Sequence, residues 1–334
     1  MTVDLPLIWA LVIGFGVFMY VLMDGFDLGV GILFRAAPSE RDRDIMMNSV
    51  APIWDGNETW LVLGGAGLLA AFPLAYAVLL PAFYLPLLVM LIALIFRGVA
   101  FEFRFKSTRR RFLWDASFNL GSTVATFAQG VVLGTFIQGV EVADRAYAGD
   151  SFSWLNPFSL VTGLALVSGY ALLGSCWLIM KTDGALQIWA FRIASRALFV
   201  VLAFVVLVSL WTPFVHPPIA ERWFSWPNIA FLSPVPVLTA LLGLWLYRAL
   251  EDGAEVLPFV LTMALFLLCF VGLGISLWPY IIPYEISIWE AAAQPESLVF
   301  VLVGVVFLVP VILAYTAYSY YVFRGKVSAE EGYH

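Results

Sequence analysis

Six ionisable side chains stand in stretches that otherwise read as the inside of a membrane. Asp24 and Asp27 lie in "MDGFDLGVGILF" at 23–34, and Asp55 and Glu58 in "APIWDGNETWLV" at 51–62. Arg97 and Arg104 close an apolar run that begins near residue 76. A charge in hydrocarbon costs several kcal/mol unless it is paired, solvated or protonated. Each acidic pair is spaced i, i+3, so both carboxylates share one face of a helix. The chemistry open to such groups is ion pairing or proton exchange.

Other chemistries find no support. Haem in a helical bundle usually needs a histidine on a helix. The two histidines here are His216, in a loop, and His334, the last residue. Cys176 and Cys269 lie in apolar segments without C-x-x-C spacing and read as small core residues. No cluster suggests a metal, no Gly-rich loop a nucleotide, and no Ser-His-Asp set a hydrolase. The one dense basic run, Lys106 to Arg111, sits between two apolar runs, so a nucleic-acid face is absent.

The elements that carry these groups follow from composition. The chain has 334 residues, 62% hydrophobic and 12% charged, where a soluble domain is about a quarter charged. Nine runs approach the roughly 20 residues a membrane helix needs: 6–34, 51–72, 76–104, 113–140, 157–180, 186–212, 229–249, 256–278 and 297–323. The expected fold is therefore all-α and polytopic. Alternate loops share a side. Of the 17 lysines and arginines, Arg145 and Arg222 fall on one side and all the rest on the other. The positive-inside rule then puts the N-terminus outside and the C-terminus inside. "MTVDLPLIW" has no basic residue before its apolar stretch, so it does not read as a cleavable signal and the first run is expected to stay as a helix. The segment 35–50 reads as an inner loop. Segment 279–296, apolar with Trp and Tyr, is expected to lie at the outer interface.

This topology brings the charges of the first four runs to the inner third of the membrane. On the fourth run Asp115, Asn119, Ser122, Thr126 and Gln129 recur at steps of three or four, a polar stripe that faces helices, a partner or water. Gly25-x-x-x-Gly29 is a small-xxx-small pair that permits close helix approach. The plain alternative is structural. Inner-end charges snorkel and pair, Glu102 and Arg104 read as interfacial, and Asp55, after Pro52, reads equally as a helix cap or as a proton relay.

The motifs "MDGFDLGVG" (23–31), "NSVAPIWDGNETWLV" (48–62), "FRGVAFEFR" (96–104), "LNPF" (155–158) and "ISIWEAA" (286–292) resemble subunit II of the cytochrome bd-type quinol oxidases, in order through the whole chain. "FRGVAFEFR" looks closest to the cyanide-insensitive branch. The resemblance implies a respiratory terminal oxidase of the bacterial inner membrane, in which quinol is oxidised near the outer face and oxygen is reduced to water with protons from the cytoplasm. It implies a haem-bearing subunit I with two haems b and haem d, and a haem-free, metal-free subunit II with no catalytic residue of its own. It leaves open a small accessory subunit. The implied fold is nine transmembrane helices, a four-helix bundle at 1–140, a second at 157–278, and a ninth helix at 297–323. Asp55, with Glu58 beside it, matches the aspartate that the family implicates in a proton route. Trp60 matches the tryptophan near the mouth of an oxygen route. Asp24 and Asp27 match a pair linked in some members with a bound quinone, and Arg97 matches the arginine that follows the apolar stretch of the third run.

Two rivals stand beside this reading. One is a secondary transporter with an inner-side carboxylate site. Such proteins carry broken helices at the midplane, and here Pro81 and Pro86 are the paired breakers within a span. The other is a purely structural partner of a catalytic subunit.

Overall fold

A computed structural model describes residues 3–107 and 109–327. Helix α1 (Leu5–Leu33) opens the chain. The Asp4 carboxylate accepts the Leu7 N–H at 3.1 Å, and Pro6 occupies the first turn, where a missing N–H is tolerated. A polar helix, α2 (Glu40–Val50), follows, with Ser39 accepting the Asp42 N–H at 3.1 Å. A turn at 51–53 leads to α3 (Trp54–Ala71), then α4 (Pro73–Ala82), α5 (Tyr84–Arg104) and α6 (Arg111–Gln138). A short hairpin, β1 (Val142–Ala143) with β2 (Ala146–Tyr147), precedes α7 (Pro157–Lys181) and α8 (Gly184–Val215). The short α9 (Pro217–Phe224) and α10 (Asn228–Leu232) lead into α11 (Pro234–Glu251) and α12 (Leu257–Leu277). A second hairpin, β3 (Tyr280–Ile282) with β4 (Ile286–Ser287), and the single turn α13 (Ile288–Ala291) precede α14 (Pro295–Val322).

Among the described residues, 8 helices are long and apolar enough to cross a membrane: α1, α5, α6, α7, α8, α11 with α10 as its lead-in, α12 and α14. The chain is an all-α, multi-pass membrane protein. The expected run 51–72 corresponds to α3, whose 18 residues begin with the polar Asp55, Asn57 and Glu58.

Three expectations change. The run 76–104 is not one helix. Phe83 leaves helical geometry (φ −105°, ψ 12°) and separates α4 from α5. Pro86 then falls in the first turn of α5, where its absent N–H breaks no bond. Segment 35–50 is not a loop but contains α2, which buries Met46, Met47 and Val50 and leaves its polar start outside. Segment 279–296 does not merely rest at an interface. Ile282 and Ile288 are buried beside Trp9, Phe72 and Val78. The Ala293 N–H donates to the Ala71 carbonyl at 2.8 Å, and the Trp9 indole N–H to the Leu298 carbonyl at 3.1 Å.

Helix α1 is the centre of the packing and lies against α3, α6 and α7. Its approach to α7 is set at Gly29. A Cβ there would stand 1.9 Å from the Tyr170 carbonyl oxygen, and one on Gly174 would stand 2.4 Å from the Gly29 carbonyl carbon. Such contact lets two backbones touch. One turn away the Phe26 ring stacks on Trp177 at 4.2 Å between centroids. The close crossing therefore holds α1 in a fixed rotation, and so fixes where Asp24 and Asp27 point.

Candidate functional site

Asp24 and Asp27, one turn apart on α1, are fully buried and face Arg97 of α5, also fully buried. Arg97 Nη1 lies 2.8 Å from Asp24 Oδ1 and 2.6 Å from Glu58 Oε1, and Nη2 lies 3.9 Å from Asp27 Oδ2. Asn57 of α3 donates from Nδ2 to Asp27 Oδ2 at 2.6 Å and to the Met23 carbonyl at 3.2 Å. Tyr320 of α14 donates its hydroxyl to Asn57 Oδ1 at 3.0 Å. Four helices thus contribute to one polar site. The guanidinium carbon stands 5.9 Å from the Trp54 ring centroid and 6.0 Å from that of Phe101, and the two rings stack on each other at 4.7 Å. These faces favour a cation.

Exposure grades along α3. Asp55 is exposed, Glu58 is half-buried, and the groups Glu58 touches are sealed. Asp55 forms no helix cap: Ile53 holds the cap position and no side chain bonds the free N–H groups. The cap reading fails because the chain turns at 51–53, so Pro52 precedes the helix instead of starting it. In charge, three carboxylates face one guanidinium. Oδ1 of Asp27 and Nε and Nη2 of Arg97 have no hydrogen-bond partner among the described residues.

Trp60 lies one turn beyond Asn57 on α3. It is buried, its ring meets Phe15 edge-on at 5.7 Å, and its indole N–H has no partner among the described residues.

Arg104 does not belong to the interface. It is fully buried, with Nε 2.5 Å from Asp115 Oδ1 and Nη1 2.6 Å from Asp44 Oδ1. Arg43 and Arg111 extend this second network to Asp115 and to Asp44. The difference arises from α2, which brings Asp44 across the ends of α5 and α6. Glu102 is exposed and pairs with Lys106 at 3.5 Å. The stripe on α6 is turned inward. Asn119 donates to the Gly31 and Ile32 carbonyls at 2.9 and 2.8 Å, and Gln129 bridges Tyr20 and Tyr170 at 2.8 and 3.0 Å.

Asn57, Tyr320 and Asp44 were not singled out by sequence reasoning. Asn57 stands inside the "WDGNETW" motif, which is a signal of position if not of role. Tyr320 is one of several tyrosines on α14 and carries none.

The geometry can be set against known proteins. The family model described as Cytochrome bd terminal oxidase subunit II matches residues 5–323. "Cytochrome bd-I ubiquinol oxidase subunit 2" of Escherichia coli strain K12 is 30% identical over 364 aligned positions, covering 98% of this chain and 96% of that protein. "Cytochrome bd ubiquinol oxidase subunit 2" of Bacillus subtilis is 29% identical, covering 93% and 94%. A chain of the solved bd oxidase from Geobacillus thermodenitrificans has a similar fold, with a TM-score of 0.76 at 16% identity, covering 96% of this chain and 97% of that one.

Proposed function

Because the chain belongs to the cytochrome bd terminal oxidase subunit II family, we propose that it is the haem-free partner of a haem-bearing subunit I in a bacterial inner membrane. The complex oxidises quinol and reduces oxygen to water. Two haems b and haem d, held by subunit I, supply electron transfer and oxygen chemistry. The residues here do not fit a haem. His216 stacks on Tyr284 at 3.7 Å between centroids, and its Nε2 meets the Gln138 carbonyl at 2.5 Å, so the imidazole is already engaged. Burial pushes the Tyr284 hydroxyl up to about 12. His334 lies outside the described residues.

The nine spans divide into a bundle at 1–140, a bundle at 157–278 and a ninth helix at 297–323. The N-terminus is outside and the C-terminus inside. The distribution of Lys and Arg supports this orientation.

What this chain's own residues do is handle protons on the inner side. The observation that carries this is the graded line from exposed Asp55 through half-buried Glu58 to the sealed Arg97–Asp24–Asp27 group. A buried charge without a counter-charge is costly. One guanidinium against three carboxylates leaves the group short of positive charge, and the cation small enough to reach it is a proton. Polar atoms with open valences in such a site are what internal water joins into a path. Asn57 is a positioning residue: its amide holds Asp27 but does not pass a proton. Trp60, buried behind Phe15, stands at the mouth of the oxygen route.

A bound quinone is a second reading of the Asp24, Asp27 and Arg97 group, favoured by the unpartnered Nε and Nη2 of Arg97. The deciding experiment is Asp55→Asn in the assembled complex. The proton reading expects full haem content and slowed oxygen reduction. Normal turnover at full haem content would leave a structural subunit.

A further inference from the structure

The opposite end of the molecule carries a groove that the proton site does not use. It has a volume of about 530 Å³ and is bounded by Arg222, Asn228, Phe231 and Leu232 on one wall and by Gly274 and Ile275 of α12 on the other. That volume lies within the roughly 300–1,000 Å³ of ligand sites. The lining is mostly apolar with a cation at one end. Arg222 and Arg145 are the two basic residues of that side of the molecule.

Arg222 has no carboxylate partner among the described residues. Its Nη1 alone serves the end of α12, donating to the Ile275 carbonyl at 2.7 Å and to the Trp278 carbonyl. The other guanidinium nitrogens carry no protein hydrogen bond among the described residues. A planar fork with free donors matches a phosphate diester. Along the floor, a Cβ on Gly274 would meet nothing within 4 Å, so the groove is open there. Exposed Trp278 completes the lining, and exposed Phe224 and Trp226 lie in the segment between Arg222 and Asn228, the side-chain chemistry of a membrane interface.

We propose that this groove is a fixed phospholipid site, with the phosphate diester on Arg222 and Asn228 and one acyl chain along Phe231, Leu232, Gly274 and Ile275. Charge complementarity selects the headgroup end, and the apolar walls beside membrane helices α11 and α12 select the chain. The leaflet is the one on the Arg222 side, the outer one under the proposed topology. The site itself does not depend on the proton reading.

The test is native mass spectrometry of the purified, delipidated complex titrated with phosphatidylglycerol. The wild type is expected to retain one lipid at concentrations where Arg222→Gln and Gly274→Leu each need at least tenfold more. Gly274→Leu fills the floor, keeps every Arg222 bond and favours the helix, so it remains decisive if loss of Arg222 frays α12. Equal retention by the wild type and Gly274→Leu overturns the proposal. So does recovery of a quinone or a polypeptide from the groove in place of phospholipid.

Discussion

Arg97 is the one cation for three carboxylates, so its replacement is the sharpest perturbation of the site. Arg97→Gln removes contacts of 2.8 Å to Asp24 and 2.6 Å to Glu58 and leaves three acids without a counter-charge. Removing one partner of a buried pair costs about 3–5 kcal/mol. Against a net stability of about 5–15 kcal/mol, that is about a fifth of the total or more. A second change should return part of the loss. Asp24→Asn in the Arg97→Gln background removes the fully buried carboxylate left unpaired. Asp27 keeps its 2.6 Å bond from Asn57, and Glu58 keeps partial access to solvent. The pair should recover about 0.5–3 kcal/mol, the usual coupling of contacting groups. The assay is the melting temperature of the detergent-purified complex for the parent, both single variants and the double variant, with assembled yield alongside. Arg97→Lys should fall between, since an ammonium keeps the charge but not the fork. An Arg97→Gln complex that melts with the parent, or a double variant no better than Arg97→Gln, would refute the charge argument.

At the α1–α7 crossing, Gly29→Ala should abolish or strongly reduce assembly, because its Cβ would stand 1.9 Å from backbone. Gly25→Ala should cost less than Gly29→Ala, because its Cβ meets a side chain, the buried Tyr170 ring at 2.9 Å, and no backbone. Yields of assembled complex check the ranking. The segment 323–327 is strapped to the helix ends. Lys326 Nζ lies 2.6 Å from Asp183 and 2.9 Å from Glu255, and the Val327 N–H donates to the Lys181 carbonyl at 2.8 Å. Hydrogen bonds from Lys326 and Gln187 hold the Glu255 carboxyl below its ordinary range. Its stabilisation is therefore complete above the ordinary glutamate value of 4.5 and is lost as pH falls through the lower folded value. Protection of the Val327 amide, taken against its intrinsic exchange rate at each pH, should be high at neutral pH and fall only in acid, whereas Lys326→Met should lower it at neutral pH.

The legible part of the site was the part that violates hydropathy. Asp24, Asp27, Glu58 and Arg97 are charges in apolar runs, and their spacing and topology bring them to one level, where the structure joins them. Asn57 and Tyr320 carry no charge, so nothing in composition marks them, although they position Asp27 from two other helices. Helix α2 escaped for the converse reason: it is polar, and its apolar residues are confined to its last turns. Arg104 was misread with it, since its depth depends on Asp44. The break at Phe83 lies between Pro81 and Pro86, the breakers visible in the sequence, but hydropathy stays high across it, so the run still read as one span. The packed fold of 279–296 depends on long-range bonds, from Ala293 to Ala71 and from Trp289 to Asp4, that no local pattern encodes.

The most direct test of the account is oxygen consumption by an assembled, haem-replete complex carrying Glu58→Gln. Glu58 is the half-buried step between exposed Asp55 and buried Arg97, and glutamine keeps its length while removing the exchangeable proton. General acid–base groups contribute about 10²–10⁴-fold where no bypass exists. The account predicts quinol-driven oxygen reduction slowed by about tenfold or more, with haem spectra and assembly unchanged. Turnover equal to the parent, at equal haem content, would contradict it.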